Sequence, residues 1–250
     1  MELAIDAGSI LLENGAEIFR VEETMDRICR SYGVKSANEF VLTNGIFATV
    51  GDVREQVFAK VQTIPVGGAH LDKVAAVNQL SREIEEGKYD IEKAMEMLRQ
   101  IREMPEKTKW EMILASGIGS ASICYLLGGS LWDALPALVA GTILYVYVIY
   151  ISRPHLSKIV GNIGGGALVT MLCSLMYLAG FGQHTSYMII GSIIPLIPGV
   201  AFTNAIRDIV YDDYLSGWVR LLDTLVVFFC IAMGVGLGTF LMQRLTGGVL

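Results

Sequence analysis

The sequence predicts an α-helical polytopic membrane protein with about five transmembrane helices, preceded by a small α+β domain on the cytoplasmic side. Three observations lead there. Hydrophobic residues fill 53 % of the 250 positions, above the soluble average, and mean hydropathy is +0.51. Fourteen of the nineteen Lys and Arg residues precede Trp110. Beyond Trp110 the apolar runs approach the ~20 residues needed to cross a hydrocarbon core of roughly 30 Å. The boundary therefore falls at Trp110, with a cytoplasmic domain over 1–109 and a membrane domain over 110–250.

In the first domain, Leu3, Ala7, Ile10 and Leu11 predict a short helix, and "ENGAE" (Glu13 to Glu17) a break at which Gly15 supplies a positive φ. Ile18, Val21, Met25, Ile28 and Tyr32 recur at spacings of three and four, the stripe of an amphipathic helix that packs on the first as a hairpin. The pattern then turns extended in "NEFVLTNGIFATV" and "EQVFAKVQTI", where Val57, Ala59 and Val61 alternate with polar or outward positions and Asn44-Gly45 signals a hairpin turn. A small antiparallel sheet is expected. Leu71, Val74, Val77, Leu80 and Ile84 mark a third helix, and Asp90 N-caps a fourth carrying Ile91, Ala94, Leu98 and Ile101.

Several function classes are disfavoured. The net charge is −6 with no basic patch, so nucleic acid is not an expected partner. Cys29, Cys124, Cys173 and Cys230 are widely spaced and read as packing residues, not as disulfides or metal ligands. The N-terminus lacks the basic region and cleavage site of a signal peptide. Glu13, Glu17, Glu22 and Glu23 read as a solvated helix face paired with Arg20 and Arg27, so no metal and no cofactor are expected. A hydrolase using His70, Asp72 and Ser81 is the rival of another class. It has no nucleophile elbow, and His70 and Asp72 fit better as groups at the start of the third helix.

The expected spans are 110–127, 132–151, 159–177, 187–203 and 221–242. Arg99, Arg102, Lys107 and Lys109 precede the first span. Arg153 and Lys158 lie between the second and third, and Arg207 and Arg220 between the fourth and fifth, whereas the links "GGSLWD" and "AGFGQHTS" carry no Lys or Arg. Positive charge favours the cytoplasmic side, so the C-terminus is expected outside, with Arg244 the one charge against the rule. Small residues four apart, Ala115/Gly119, Gly161/Gly165 and Gly234/Gly238, suit close helix crossings. The run "GNIGGG" adds Asn162, a polar amide at membrane depth that suits a substrate path.

One stretch, "IIPLIPGVAFTNAIRDIVYDDYLSG", breaks its own span. Pro195 and Pro198 each remove a backbone donor, and the freed carbonyls are tolerable in a bilayer only against protein or a watery cavity. Interrupted helices of this kind build carrier sites. After Pro198-Gly199, residues Asn204, Arg207 and Asp208 fall at i, i+3 and i+4 on one face. Arg207 suits a substrate carboxylate, Thr203 and Asn204 offer hydrogen bonds, and Asp208 or Asp223 is a candidate for proton coupling. An interfacial charge pair between Arg207 and Asp208 is the competing reading.

Three segments, "GAEIFRVEETMDRICRSYG", "GGAHLDKVAAVNQLSREI" and "PGVAFTNAIRDIVYDDYLSGWVRLLD", together resemble the threonine/serine exporter family, over nearly the whole chain and in the family's order. The resemblance implies a multi-pass inner-membrane carrier that uses the proton-motive force to export a small carboxylate-bearing substrate, threonine or serine. Similar two-component pairs export succinate, which implies a separately encoded small membrane subunit as partner; a homo-oligomer is also compatible. A scaffold that only regulates another membrane protein is the third reading. The chain departs from the family pattern at Tyr211-Asp212-Asp213, where Gly-Asp is more usual, and at Val66, where Pro is common. These departures bear on substrate identity.

Overall fold

The computed structural model describes residues 1–34, 37–51, 58–64, 68–105 and 107–247, most of them helical. Val57 and Val66 lie outside these residues. Contacts gather the chain into two compact units, Met1–Pro105 with Gly199–Leu222, and Glu106–Pro198 with Asp223–Leu250.

In the first unit, α1 (Glu2–Glu13) and α2 (Ile18–Ser31) form the expected hairpin. Gly15 between them has φ +81°, open to glycine at no steric cost. The α2 stripe of Ile18, Val21, Met25 and Ile28 is buried in one core with Ile5, Ile10 and Leu11 of α1. Strands β1 (Ala37–Leu42), β2 (Gly45–Val50) and β3 (Phe58–Thr63) make an antiparallel meander. Leu42 pairs with Gly45, so the turn is Thr43-Asn44, one residue earlier than the Asn44-Gly45 signal. The face to be buried decides this register. It sets Ile46 opposite Val41, both in the core, and leaves Phe40 and Phe47 on the outer face.

Helix α3 (Leu71–Glu85) buries Val74, Val77, Leu80 and Ile84, and α4 (Ile91–Arg102) buries Ala94, Leu98 and Ile101. Leu71 and Ile91, assigned to these stripes by periodicity, are exposed because each opens its helix ahead of the packed turns. Asp90 caps α4 by accepting from Lys93 N at 2.8 Å. The unit is completed by α10 (Gly199–Val210) and the first turns of α11 (Tyr214–Thr246).

The second unit contains α5 (Lys109–Leu126), α6 (Leu131–Tyr147), a π-helical turn at Val148–Ser152, the short α7 (Arg153–His155), α8 (Lys158–Leu178), α9 (Thr185–Ile193), a 3-10 turn at Ile194–Leu196 and the rest of α11. Among the described residues three helical stretches are long and apolar enough to cross a membrane: Leu131–His155, Lys158–Leu178 and Tyr214–Thr246. They become four if Thr185–Leu196 and Gly199–Val210 count as one interrupted span. The lengths of the apolar runs put the expected number at about five. The difference lies at α5, whose apolarity is diluted by Lys109, Glu111, Ser116, Ser120 and Ser122.

Small residues let these helices approach closely, though not all those that spacing suggested. A Cβ on Gly166 of α8 would lie 2.8 Å from the Ile231 carbonyl oxygen of α11, and one on Gly238 of α11 would lie 2.8 Å from Thr170 Cβ of α8. Gly117 plays this part on α5, facing the Leu138 carbonyl oxygen of α6 at 3.1 Å, while Gly119 meets nothing within 4 Å. Gly166→Ala is therefore expected to push α8 and α11 apart and to cost about 1–3 kcal/mol. Gly119→Ala is expected to be neutral or to gain up to about 1 kcal/mol of helix preference. Melting temperatures of the two variants in one detergent check the contrast.

Candidate functional site

The geometry begins at the interrupted helix. Pro195 sits in the 3-10 segment that continues directly from α9 and has no N–H to extend the α-helical ladder. Pro198 disfavours helical geometry in the residue before it, and Ile197 is extended, with φ −71° and ψ 121°. A new helix, α10, begins at Gly199. The Thr203 hydroxyl donates to the Gly199 carbonyl at 2.9 Å and is exposed.

One turn further on, Asn204, Arg207 and Asp208 read the α1–α2 connection group by group. Asn204 Nδ2 donates to the Gly15 carbonyl at 2.7 Å, and Arg207 Nη1 donates to Glu17 Oε1 at 2.5 Å. Asp208 Oδ1 accepts from Ile18 N at 3.0 Å. The first backbone N–H groups of a helix lack partners within it, and the helix dipole there favours an anion. Glu17, at the N-cap of α2, makes no side-chain capping bond of its own. Asp208, 190 residues along the chain, supplies that cap instead.

Arg220 of α11 completes the cluster. Its Nη2 donates to the Ala16 carbonyl at 3.1 Å, and its Nη1 lies 3.0 Å from Asp208 Oδ2, a buried ionic contact without the alignment of a hydrogen bond. Asp208 has no exposed surface and the Arg220 side chain is 10 % exposed. Two local devices make the approach possible. A Cβ on Gly217 would lie 2.6 Å from Ile209 Cγ1 and 3.0 Å from the Ala205 carbonyl oxygen, so α11 crosses α10 at a bare glycine. Asp212 takes φ +70° in the turn between α10 and α11, which Asp tolerates better than most residues. Phe19 of α2 stacks on Tyr211, just past α10, with ring centroids 4.2 Å apart.

Glu17 is nearly buried, which corrects its reading as part of a solvated face. Burial would raise its carboxyl pKa, but its own backbone N–H, Arg207 and Arg20 outweigh that and hold it below the ordinary 4.5. Glu22 is also drawn inward: burial raises it, and its carboxylate accepts from Val41 N at 3.2 Å. Glu23 and Arg27 form the expected exposed pair at 2.7 Å.

A second polar group lies in the other unit. Lys158 Nζ is 2.5 Å from Asp223 Oδ2, and Asn162 Nδ2 donates to the Lys158 carbonyl at 2.8 Å, so the amide at membrane depth is satisfied by its own helix. Of the sequence-predicted residues, the structure thus brings Asn204, Arg207 and Asp208 together in one cluster, whereas Asp223 pairs with the Lys158 side chain and Asn162 bonds only the Lys158 carbonyl of its own helix. Thr203 and Gly199 line the start of α10. Glu17, Gly15 and Arg220 were missed as site residues, although all three lie in the motif segments. The signal that could have found them is that Asp208, a carboxylate within an apolar segment, needs a cation and donors from elsewhere in the fold once buried. For the hydrolase trio, the buried Ser81 hydroxyl donates to the Asn78 carbonyl at 2.9 Å and faces Arg27 at 3.4 Å, where a nucleophile would need a base.

Asp208→Asn removes the buried carboxylate that lies against Arg220 and is expected to destabilise by about 3–5 kcal/mol, whereas Arg207→Ala, at a half-exposed position, costs about 1 kcal/mol or less. Thermal melts of both variants test this order. Because the folded-state pKa of Glu17 is depressed, its stabilisation is complete above the ordinary 4.5 and is lost as pH falls below it. Glu17→Gln should therefore flatten the acid limb of the stability profile.

Residues 2–242 match the sequence model of the family described as "Putative threonine/serine exporter". The chain is 23 % identical over 252 residues to a threonine/serine exporter of Corynebacterium glutamicum, an alignment that covers 98 % of this chain and 52 % of that protein. It is 24 % identical over 221 residues to the "Probable succinate transporter subunit YjjP" of Klebsiella aerogenes, covering 87 % of this chain and 84 % of that protein. The counterpart of the same name in Escherichia coli is also 24 % identical, with 87 % and 85 % covered. The chain thus spans about half the length of the Corynebacterium exporter. No solved structure matches it.

Proposed function

The chain belongs to the threonine/serine exporter family, and on that premise we propose that it is a subunit of a secondary efflux transporter for a small carboxylate-bearing metabolite. The proposed substrates are threonine or serine, with succinate as the second reading. Its coordinates carry the reading at one feature: an interrupted apolar helix whose continuation presents Thr203, Asn204, Arg207 and Asp208. Arg207 spends one of its five donors on Glu17, and its side chain is 52 % exposed, so it can also receive a substrate carboxylate. Thr203, exposed beside it, offers a hydroxyl acceptor. Asn204, Asp208 and Arg220 act one step back, by holding α10 on the α1–α2 connection.

The proposed topology has the N-terminal domain in the cytoplasm and the C-terminus outside a bacterial-type inner membrane, following the Lys/Arg bias of the links. Export is proposed to be proton-driven. Asp208 and Asp223 each hold a cation, so protonating either one releases Arg220 or Lys158 to move. Asn162 lines the Lys158–Asp223 end of the path. The relatives named as succinate transporter subunits support a second, small membrane subunit as partner.

Liposomes containing the purified chain, alone or with that partner, and loaded with labelled threonine, serine or succinate test the reading. Efflux driven by a pH gradient is the expected result, and no efflux of any of the three in either arrangement would leave the scaffold reading standing. Pro198→Ala with Gly199→Ala should heal the break, since the space beside Gly199 is open and each Pro removed returns up to roughly 3 kcal/mol of helix preference. Export is expected to fall at least about tenfold, ~1.4 kcal/mol in the barrier, with melting temperature held or raised. Normal export by this double variant would show that the break is a packing kink.

A further inference from the structure

The sequence from Met112 to Ser152 and from Ile159 to Ile206 contains no Lys or Arg, a single carboxylate, Asp133, and a single imidazole, His184. They lie in different links, and the structure brings them together. Asp133 is fully buried and its carboxylate is crowded with donors. Oδ2 accepts from Ser130 N at 2.8 Å and from the Ser130 hydroxyl at 2.7 Å. Oδ1 accepts from Gln183 N at 2.5 Å and from His184 N at 2.8 Å. His184 Nδ1 stands 3.1 Å from Oδ2.

We propose that His184 is a proton-binding site of this protein, held by Asp133 at the end of the second unit formed by the two links without Lys or Arg. The chemistry follows from the count of donors. A carboxylate that accepts four N–H and O–H groups is an anion with no proton of its own to give, so the Nδ1 facing it must carry hydrogen. That leaves Nε2 as the open nitrogen. The His184 side chain is 55 % exposed, so Nε2 can exchange a proton with solvent. An anion buried among neutral donors remains short of a counter-charge, and across both sequence stretches, which contain no Lys or Arg, His184 is the one side chain that can supply a cation.

The other titratable groups at the site are few. Tyr187 of α9 meets the His184 ring edge-on with centroids 5.6 Å apart, and Cys124 of α5 faces the Asp133 charge. Asp133 also caps α6, reciprocally with Ser130, and His184 is the residue immediately before α9. Protonation therefore acts at the junction of α6 and α9, and α9 runs directly into the 3-10 turn that contains Pro195. Resting on the carrier reading above, His184 is the first station for the coupling proton, on the side away from the Lys/Arg-bearing links, with α9 as the lever toward the interrupted helix.

Histidine-labelled full-length protein in lipid nanodiscs tests the site without any substrate. The chain has three histidines, so His184→Gln identifies the signal. Neutral His184 is expected to carry its hydrogen on Nδ1 and to gain a second on Nε2 when acidified. Asp133→Asn should abolish the Nδ1 preference. Hydrogen on Nε2 in the neutral form, or no second hydrogen anywhere in the pH range over which the protein stays folded, would overturn the site. Coupling is read separately, from efflux of threonine, serine and succinate at fixed internal and varied external pH. Wild type should change several-fold across the range, and His184→Gln should give a flat profile at an unchanged melting temperature. A wild-type profile in His184→Gln overturns the coupling role while leaving the carrier reading intact. Absence of all efflux overturns both, and the nanodisc spectrum then still decides whether the proton site exists.

Discussion

Asp208 is the constraint on which the first unit depends. A carboxylate with no exposed surface is costly unless it is both hydrogen-bonded and paired. Asp208 meets that demand with the Ile18 backbone N–H on one oxygen and the Arg220 guanidinium at the other. Each partner fixes a different element: the first turn of α2, and the turn of α11 that crosses α10 at Gly217.

The same economy of charge governs the second unit with a different outcome. Helices in lipid gain little from burying apolar side chains against one another, so close backbone approach and satisfied polar groups must hold them. Gly117 against α6 and Gly166 and Gly238 at the α8–α11 crossing provide the approach. Ser116 donates to the Gly141 carbonyl at 2.9 Å, and Ser192 donates to the Met188 carbonyl at 2.7 Å. Against that background, Lys158–Asp223 and Asp133–His184 are pairs of ionisable groups, and in a membrane protein such groups are where function concentrates.

The family assignment and the coordinates bear on different questions. The match over residues 2–242 makes the chain an exporter-family member. Within the fold, Arg207 keeps an exposed face, whereas Asn204 and Asp208 on the same helical face bond the α1–α2 connection. Spacing at i, i+3 and i+4 could group these three side chains but could not tell an exposed donor from a buried one.

What the sequence determined by itself is whatever depends on local chemistry. The α1–α2 hairpin follows from a stripe and a glycine, the cap on α4 from Asp90, and the interruption near Ile197 from Pro198, since periodicity, capping and proline act over a few residues. Even there, register moved the predicted turn by one residue, to Thr43-Asn44, because which face is buried is settled by the core. Tertiary structure alone decided the pairings across long stretches of chain. Ile18 with Asp208, Glu17 with Arg207 and Asp133 with His184 join residues that no local pattern relates. It also turned Glu17 from a solvated charge into a buried anchor, and its helix into one capped by a residue 190 positions away. The physical reason is the same in each case: burying a charge requires a partner, and only the folded chain determines which one is within reach.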